Sequence, residues 1–281
     1  MSLFIKEIFS TSVLEELGKR CVIAKLAYDA TALVPEILSA GNKIVLPTFK
    51  RTSTISDIVE GTPIVPGSPD MEKVEATIKH VGTACRIFKK SSIQVQGEMK
   101  QAYVEDMADA LAVKMDSDLA NEMITNATKK SPTASATAIT FDEIMTGLKL
   151  YGDQIQYNLF KGIVINSRLY ANFISMPEFT SVGLTYASNG NGVVQENGLI
   201  GFLLGKIGVY VSDNGTFDSV TGECITFVIQ DKGIAKVVQR DVDINEDYQA
   251  LLFATDVVAD SLYTVRLIND EKVILLRKTI V

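Results

Sequence analysis

An α+β fold follows from three features of the sequence. Residues 97–128 carry one long helical pattern, residues 41–90 read as two long strands around a proline-rich tip, and from Thr140 onward short helices alternate with strongly apolar strands. The long helix organises the rest. Its apolar residues, Val104, Met107, Ala108, Leu111, Ala112, Met115, Leu119 and Met123, recur at steps of three and four, which is helical periodicity. The opposite face carries Glu105, Asp106, Asp109, Lys114, Asp116, Asp118 and Glu122. No Gly or Pro interrupts it, and Ala, Met, Leu, Glu and Lys favour the helix. About thirty residues at ~1.5 Å each make a rod of roughly 45 Å. The stripe drifts at more than ~3.5 residues per turn, which argues against a coiled coil.

Composition bounds the function classes. A chain of 281 residues with 47% hydrophobic content is large enough for a packed core. The net charge of −7 opposes tight binding to a nucleic-acid backbone, which needs a basic stripe. Cys21, Cys85 and Cys224 are scattered and odd in number, so free thiols in a reducing compartment are expected. The N-terminus does not resemble a signal peptide, and no run of about 18 apolar residues is present. A cytoplasmic protein is the expectation. A single histidine, His80, is the whole stock, which excludes by counting a two-His metal site or an HExxH helix and leaves little for a His-based triad. No phosphate-binding glycine loop follows a strand. No cofactor and no metal site is expected. A hydrolase working with carboxylates alone is the enzyme alternative, although nothing in the sequence pairs two of them.

At the N-terminus, Leu14, Leu17, Val22, Leu26 and Ala27 form an amphipathic pattern ending before Pro35, because the residue before proline avoids the helical region. This segment is either a peripheral helix or an arm that packs on another subunit. Residues 43–51 then form a strand with Pro47 marking an edge position. The return strand, 72–90, changes phase at His80–Val81, as a bulge or bend would require. Pro63, Pro66 and Pro69 stiffen the tip between them. A two-stranded ribbon is marginal alone in water, so it must lie on its own domain or on a neighbouring molecule.

Charge separates the ribbon from the rod. From residue 41 to 90, eight basic residues stand against five acids, a balance of +3. From 98 to 123, seven acids stand against two lysines, a balance of −5. Docking of ribbon on rod is expected, with charge fixing register more than affinity.

Residues 128–138 are a small-residue linker. Thr140 and Glu143 then make a capping box for a helix carrying Phe141, Ile144, Met145 and Leu148. Residues 162–165 read as a buried strand, with Asn166 or Ser167 capping a short helix through Phe173. A turn-rich stretch, 188–192, precedes the Gly-punctuated run 201–213. Strands are expected over 224–230, 233–238, 265–268 and 273–276, the last two around a turn at Asn269–Asp270.

This order of elements resembles the major capsid protein of tailed bacteriophages, a fold shared with encapsulin shells and the capsid floor of herpesviruses. The residues that carry the resemblance are Glu60-Gly61-Thr62 in the loop tip and Gly205, Val209 and Ser212 in the run before a strand. The segment around Asn166-Ser167 is similar too. The resemblance implies an N-terminal arm (1–40), an extended β-loop (41–90), a peripheral domain with a spine helix (91–138 and 239–281) and an α/β axial domain (139–238). It implies a structural, non-enzymatic subunit that self-assembles into hexamers and pentamers of an icosahedral virion shell around double-stranded DNA, built in the bacterial host cytoplasm. Scaffolding, portal and decoration proteins are the implied partners, with no membrane. No long helical leader of the kind that serves some members as a fused scaffold precedes the arm, so a separate scaffold, no scaffold or, less in keeping with Met1, a processed form is expected. The implied assembly residues are Lys50, Arg51, Glu60, Gly61, Thr62, Lys73, Lys79, Asp106, Asp109 and Asp116. Some relatives cross-link a loop lysine to a neighbour's asparagine; Lys50 and Asn269 would take those parts. An encapsulin-type compartment housing a cargo enzyme is the alternative.

Overall fold

A computed structural model describes residues 6–33, 43–50, 70–89, 98–155, 157–180 and 198–280. Arg51, Glu60, Gly61, Thr62 and the 188–192 stretch lie outside the described residues. The fold is mixed α+β, with two principal sheets sharing one long helix.

One sheet has six strands: β5 (Lys129–Pro132), β6 (Phe160–Ile165), β7 (Leu199–Leu203), β8 (Ile207–Val211), β11 (Thr226–Gln230) and β14 (Val273–Arg277), in the order β5-β14-β11-β6-β8-β7. The other has four: β1 (Tyr28–Asp29), β4 (Lys79–Phe88), β12 (Ile234–Gln249) and β13 (Ala254–Leu267), in the order β1-β12-β13-β4. Two small ribbons complete the strands, β2 (Lys43–Lys50) with β3 (Asp70–Thr77) and β9 (Phe217–Asp218) with β10 (Glu223–Cys224). The helices are α1 (Lys6–Arg20), α2 (Ile23–Leu26), α3 (Glu98–Asn126), α4 (Phe141–Leu148), α5 (Tyr170–Ser175) and α6 (Pro177–Thr180).

The stripe of α3 is buried as its spacing requires. Its first half, with Val104, Met107, Ala108 and Leu111, covers Val242, Ile244, Val257 and Ala259 of the four-stranded sheet. Its second half, with Leu119, Ala120 and Met123, reaches both sheets: Phe227, Ile229 and Leu275 from one, Tyr263 and Val265 from the other. The central strands of the six-stranded sheet are buried on both faces, so β6, β11 and β14 read as nearly unbroken apolar runs. In β14, Val273 and Leu275 face α3 while Ile274 and Leu276 join the core beneath α4, α5 and α6. Period-two alternation thus splits one apolar run between two cores.

The local signals at Thr140 and Asn166 have physical counterparts. Thr140 and Glu143 form the expected capping box at α4, and the Asn166 side chain accepts from the Arg168 N–H after β6. β7 and β8 close as an antiparallel hairpin through Leu204 and Gly205, at φ 53° and 71°. Paired positive φ values suit the right-handed twist of a hairpin.

Four expectations need correction. The N-terminal segment, over residues 6–33, is not an arm without burial of its own. Val13 of α1 is fully buried against α3, Ile23, Ala24 and Leu26 of α2 enter the central core, and β1 pairs in parallel with β12. The return strand breaks at Ile78 rather than at His80–Val81, because there it leaves β2 and pairs with β13 instead. β14 does not stay with the other C-terminal strands. It runs between β11 and β5 in the six-stranded sheet, where two more neighbours complete its hydrogen bonding. Asp116 and Asp118, assigned to the outer face of the rod, are buried at 0% and 6% exposure.

Candidate assembly surfaces

The acids of α3 are largely engaged within the chain. Asp116 accepts the Val22 N–H on Oδ2 and the Ala24 N–H on Oδ1, both at 2.9 Å. It therefore caps the N-terminus of α2 from outside that helix, where the first N–H groups have no partner of their own. Burial pushes its pKa up from 3.8, against the pull of those N–H donors and of Asn214. Asp118 takes Lys114 and Lys79 at 3.1 Å each and the Tyr263 hydroxyl at 3.0 Å. Burial raises its pKa, but these partners outweigh burial and hold it below the ordinary value. Glu122 meets Arg266 at 3.1 Å and accepts the Leu267 N–H at 3.2 Å. Asp109 pairs with Arg20 of α1, which also lies 3.6 Å from Glu105. Asp106 stays exposed.

The basic ribbon divides at Ile78. Below the break, Lys79 is committed to Asp118 and Arg86 forms a two-point pair with Asp256 of β13, at 2.6 and 2.8 Å. Above it, Lys73 is exposed and Lys43 lies 3.3 Å from Glu75 across the ribbon. The ribbon root is buried: Ile44, Leu46 and Ala76 are each at most 4% exposed, and the first two pack on Ala30, Ala235 and Val237. Lys50 ends β2. Among the ten expected assembly residues, the structure therefore joins Lys79 and Asp109 to their own chain. It buries Asp116, which is withdrawn as a surface residue because its carboxylate is spent on α2. Asn269, cast as a cross-linking asparagine, uses its side-chain oxygen to cap the turn at Glu271.

One surface was missed by the sequence reading. The β12–β13 hairpin ends in a turn whose Leu251 is 95% exposed and Phe253 65%, with Tyr248, Leu252 and Phe88 at least half exposed around them. The available signal was the apolar triplet 251–253 directly after a polar strand end, which reads equally well as core.

A cavity of about 430 Å³ lies between α1, α2 and β12, lined by Leu14, Leu17, Cys21, Met115, Val238 and Val242, with Asp29 and Asp241 among its polar groups. Asp29 accepts the Thr31 N–H at 3.0 Å. Burial raises its pKa, yet the Thr31 bonds and Lys236 leave it below the usual value. That is the state of a structural carboxylate, not of a proton donor poised near neutrality. The Cys21 thiol, pushed up to about 12 by burial, is no nucleophile. Among the described residues, no three His, Cys, Asp or Glu side chains are placed to hold a metal, and no helix is long and apolar enough to cross a membrane.

No protein-family model matches the sequence, and no curated protein does. Solved structures match along most of its length. A chain from Mycobacterium phage Che8 is 18% identical, with a TM-score of 0.66 over 92% of this chain and 91% of that one. The capsid of cyanophage P-SCSP1u gives 15% and 0.64 over 92% and 88%. A virus-like particle from Pyrococcus furiosus gives 12% and 0.61 over 96% and 98%. At these identities the likeness concerns architecture, and on that ground the chain has the fold of phage capsid subunits.

Proposed function

We propose that this chain is a structural shell subunit: a major capsid protein whose copies form hexamers and pentamers of a closed icosahedral shell around a packaged double-stranded DNA genome. The observation that carries the reading is the match of nearly the whole chain, in both directions, to subunits of phage particles. The physical arrangement supports it. The β2–β3 ribbon buries its root on its own body and, among its described side chains, leaves Val45 45% exposed, and the β12–β13 tip presents an apolar end to solvent. Such elements find burial on sister copies, and repeated contacts closed by symmetry make a bounded particle. Phage capsids among the matched structures favour a genome container over a compartment housing a cargo enzyme. Scaffolding, portal and decoration proteins belong to this reading as partners.

The basic ribbon supplies the register between copies. Exposed Lys73, with Lys50, Arg51 and the Glu60-Gly61-Thr62 tip, meets the acidic surface of a neighbour around Asp106. The DNA needs no attraction to the wall, which suits a net charge of −7. Negative-stain microscopy of the purified chain, with sedimentation velocity across salt and concentration, tests the proposal. Rings, tubes or shells are expected; a monodisperse monomer under every condition, co-expressed scaffold included, overturns it.

A further inference from the structure

Leu14, Leu17, Gly18 and Cys21 fall at helical spacing along one face of α1 and the turn after it, and that face borders the cavity of about 430 Å³. Met115 of α3 with Val238 and Val242 of β12 gives the cavity an apolar floor. Leu14, Leu17 and Val238 are only half-buried, so they border this space with apolar surface that no protein atom covers. Gly18 is exposed in the last turn of α1, its φ is not positive, and a Cβ added there would meet nothing within 4 Å. Neither backbone conformation nor a close approach requires glycine at this position, and glycine weakens a helix relative to alanine. What it provides is an open mouth.

The rim is charged, and its charges balance. Asp29 and Lys236 stand in register where β1 pairs with β12, Lys25 comes from α2, and Asp241 follows Val238 on β12. Two of these four are engaged: Asp29 Oδ1 accepts the Thr31 N–H at 3.0 Å, and the Lys25 ammonium donates to the Lys19 carbonyl at 3.2 Å. Lys236 acts through space on Asp29 and on the Cys21 thiol, pulling both pKa values down against burial. Among the described residues, neither Lys236 nor Asp241 forms an ion pair. A half-buried ammonium and an exposed carboxylate thus flank an apolar recess, each with capacity to spare. A ligand head of a single sign would be repelled by one of them, whereas a head carrying both signs satisfies both. The volume falls within the roughly 300–1,000 Å³ of small-molecule sites.

We propose that this cavity binds a single-chain amphiphile with a zwitterionic head. The alkyl chain lies between Leu17, Met115 and Val242, the anionic part of the head meets Lys236, and its ammonium part meets Asp241. The site is built within one protomer and stands apart from the shell-forming reading. Because α1, α2, α3 and β12 all contribute to its walls, an occupied site stabilises the protomer. Calorimetric titration and thermal melting of the full chain with decylphosphocholine, kept below its micelle concentration, test the proposal. Saturable binding of one molecule per chain and a higher melting temperature are expected. Shortening the chain from decyl to octyl to hexyl weakens binding roughly fourfold per methylene. Decyl sulfate and decyltrimethylammonium, with one sign each, bind about tenfold more weakly. Lys236→Gln weakens decylphosphocholine by a similar factor and leaves uncharged decyl maltoside unaffected. Val238→Phe, which fills the floor, and Gly18→Phe, which narrows the exposed mouth without touching the core, each reduce affinity. Undiminished binding in both phenylalanine variants overturns the location. Equal or tighter binding of the singly charged chains overturns the zwitterionic head, and no saturable binding of any of these chains overturns the site.

Discussion

Replacing Asp116 by alanine removes the acceptor for two backbone donors, the Val22 and Ala24 N–H groups, each held at 2.9 Å. A buried donor left without a partner costs about 1–3 kcal/mol. Only the Ala24 bond is fully buried, so water relieves part of the loss at Val22, and removing a buried charge offsets a little more. The net expectation is a destabilisation of about 2–3 kcal/mol. Asp116→Asn keeps one acceptor oxygen and loses about half as much. The pH dependence has a definite sign. The native pKa of Asp116 is raised above 3.8, so the native state binds this proton more tightly than the unfolded state does. Its stabilising effect is then complete below the unfolded pKa and is lost as pH rises through the native value. Relative to Asp116→Asn, the wild type gains stability on acidification toward pH 4. Asp118, with its lowered pKa, contributes in the opposite sense, losing stability as pH falls through its native value. Urea unfolding followed by circular dichroism at several pH values measures all of this. An Asp116→Ala variant within ~0.5 kcal/mol of wild type would show that the α2 elbow does not depend on this carboxylate.

Three further outcomes are expected. Arg277→Ala strands Glu223, which is 2% exposed and takes the guanidinium at 2.8 and 3.0 Å; a loss of about 3 kcal/mol in denaturant unfolding is expected, near the low end for a broken buried pair, because the Thr279 N–H still reaches Glu223. Gly215→Ala would place a Cβ 2.5 Å from that of Ala120 at φ +71°, and a melting temperature unchanged within 1–2 °C, below the shift that ~1 kcal/mol produces, would contradict the close approach of that turn to α3. Lys50→Glu/Arg51→Glu is expected to impair assembly by sedimentation while leaving the melting curve of the protomer intact; equal assembly would remove the role of ribbon charge in register.

What the sequence made legible depended on whether the deciding interaction was local. The α3 stripe follows from the helical period, and the capping box from two side chains three residues apart. Both survive any tertiary context that leaves one face of the helix dry. The outer acids did not behave as their residue type suggested, because burial of Asp116 and Asp118 is decided by partners far away in the sequence, the α2 N-terminus and Lys79 with Tyr263. The short apolar run of β14 likewise identifies a buried strand but carries no information on which sheet receives it. The apolar triplet 251–253 failed for the converse reason: its hydrophobicity resembles core, and only three-dimensional placement shows that it has nothing to cover.

The polar joints determine where this subunit is stiff. Asp116 fastens the α1–α2 elbow to α3, Glu122 and Asp118 fasten α3 to β13, and the turn before β9 presses on Ala120. Since the second half of α3 also shares its apolar core with both sheets, neither sheet can rotate on the helix without exposing that core. The β2–β3 ribbon is held differently. Among the described residues its strands pair with each other past Ile78, and its junction with the body is made by a small apolar root and by the Thr264 hydroxyl donating to the Thr77 carbonyl at 2.8 Å. The return strand thus changes sheets at Ile78, and the break in strand phase there lets one sequence serve both the four-stranded sheet and the ribbon.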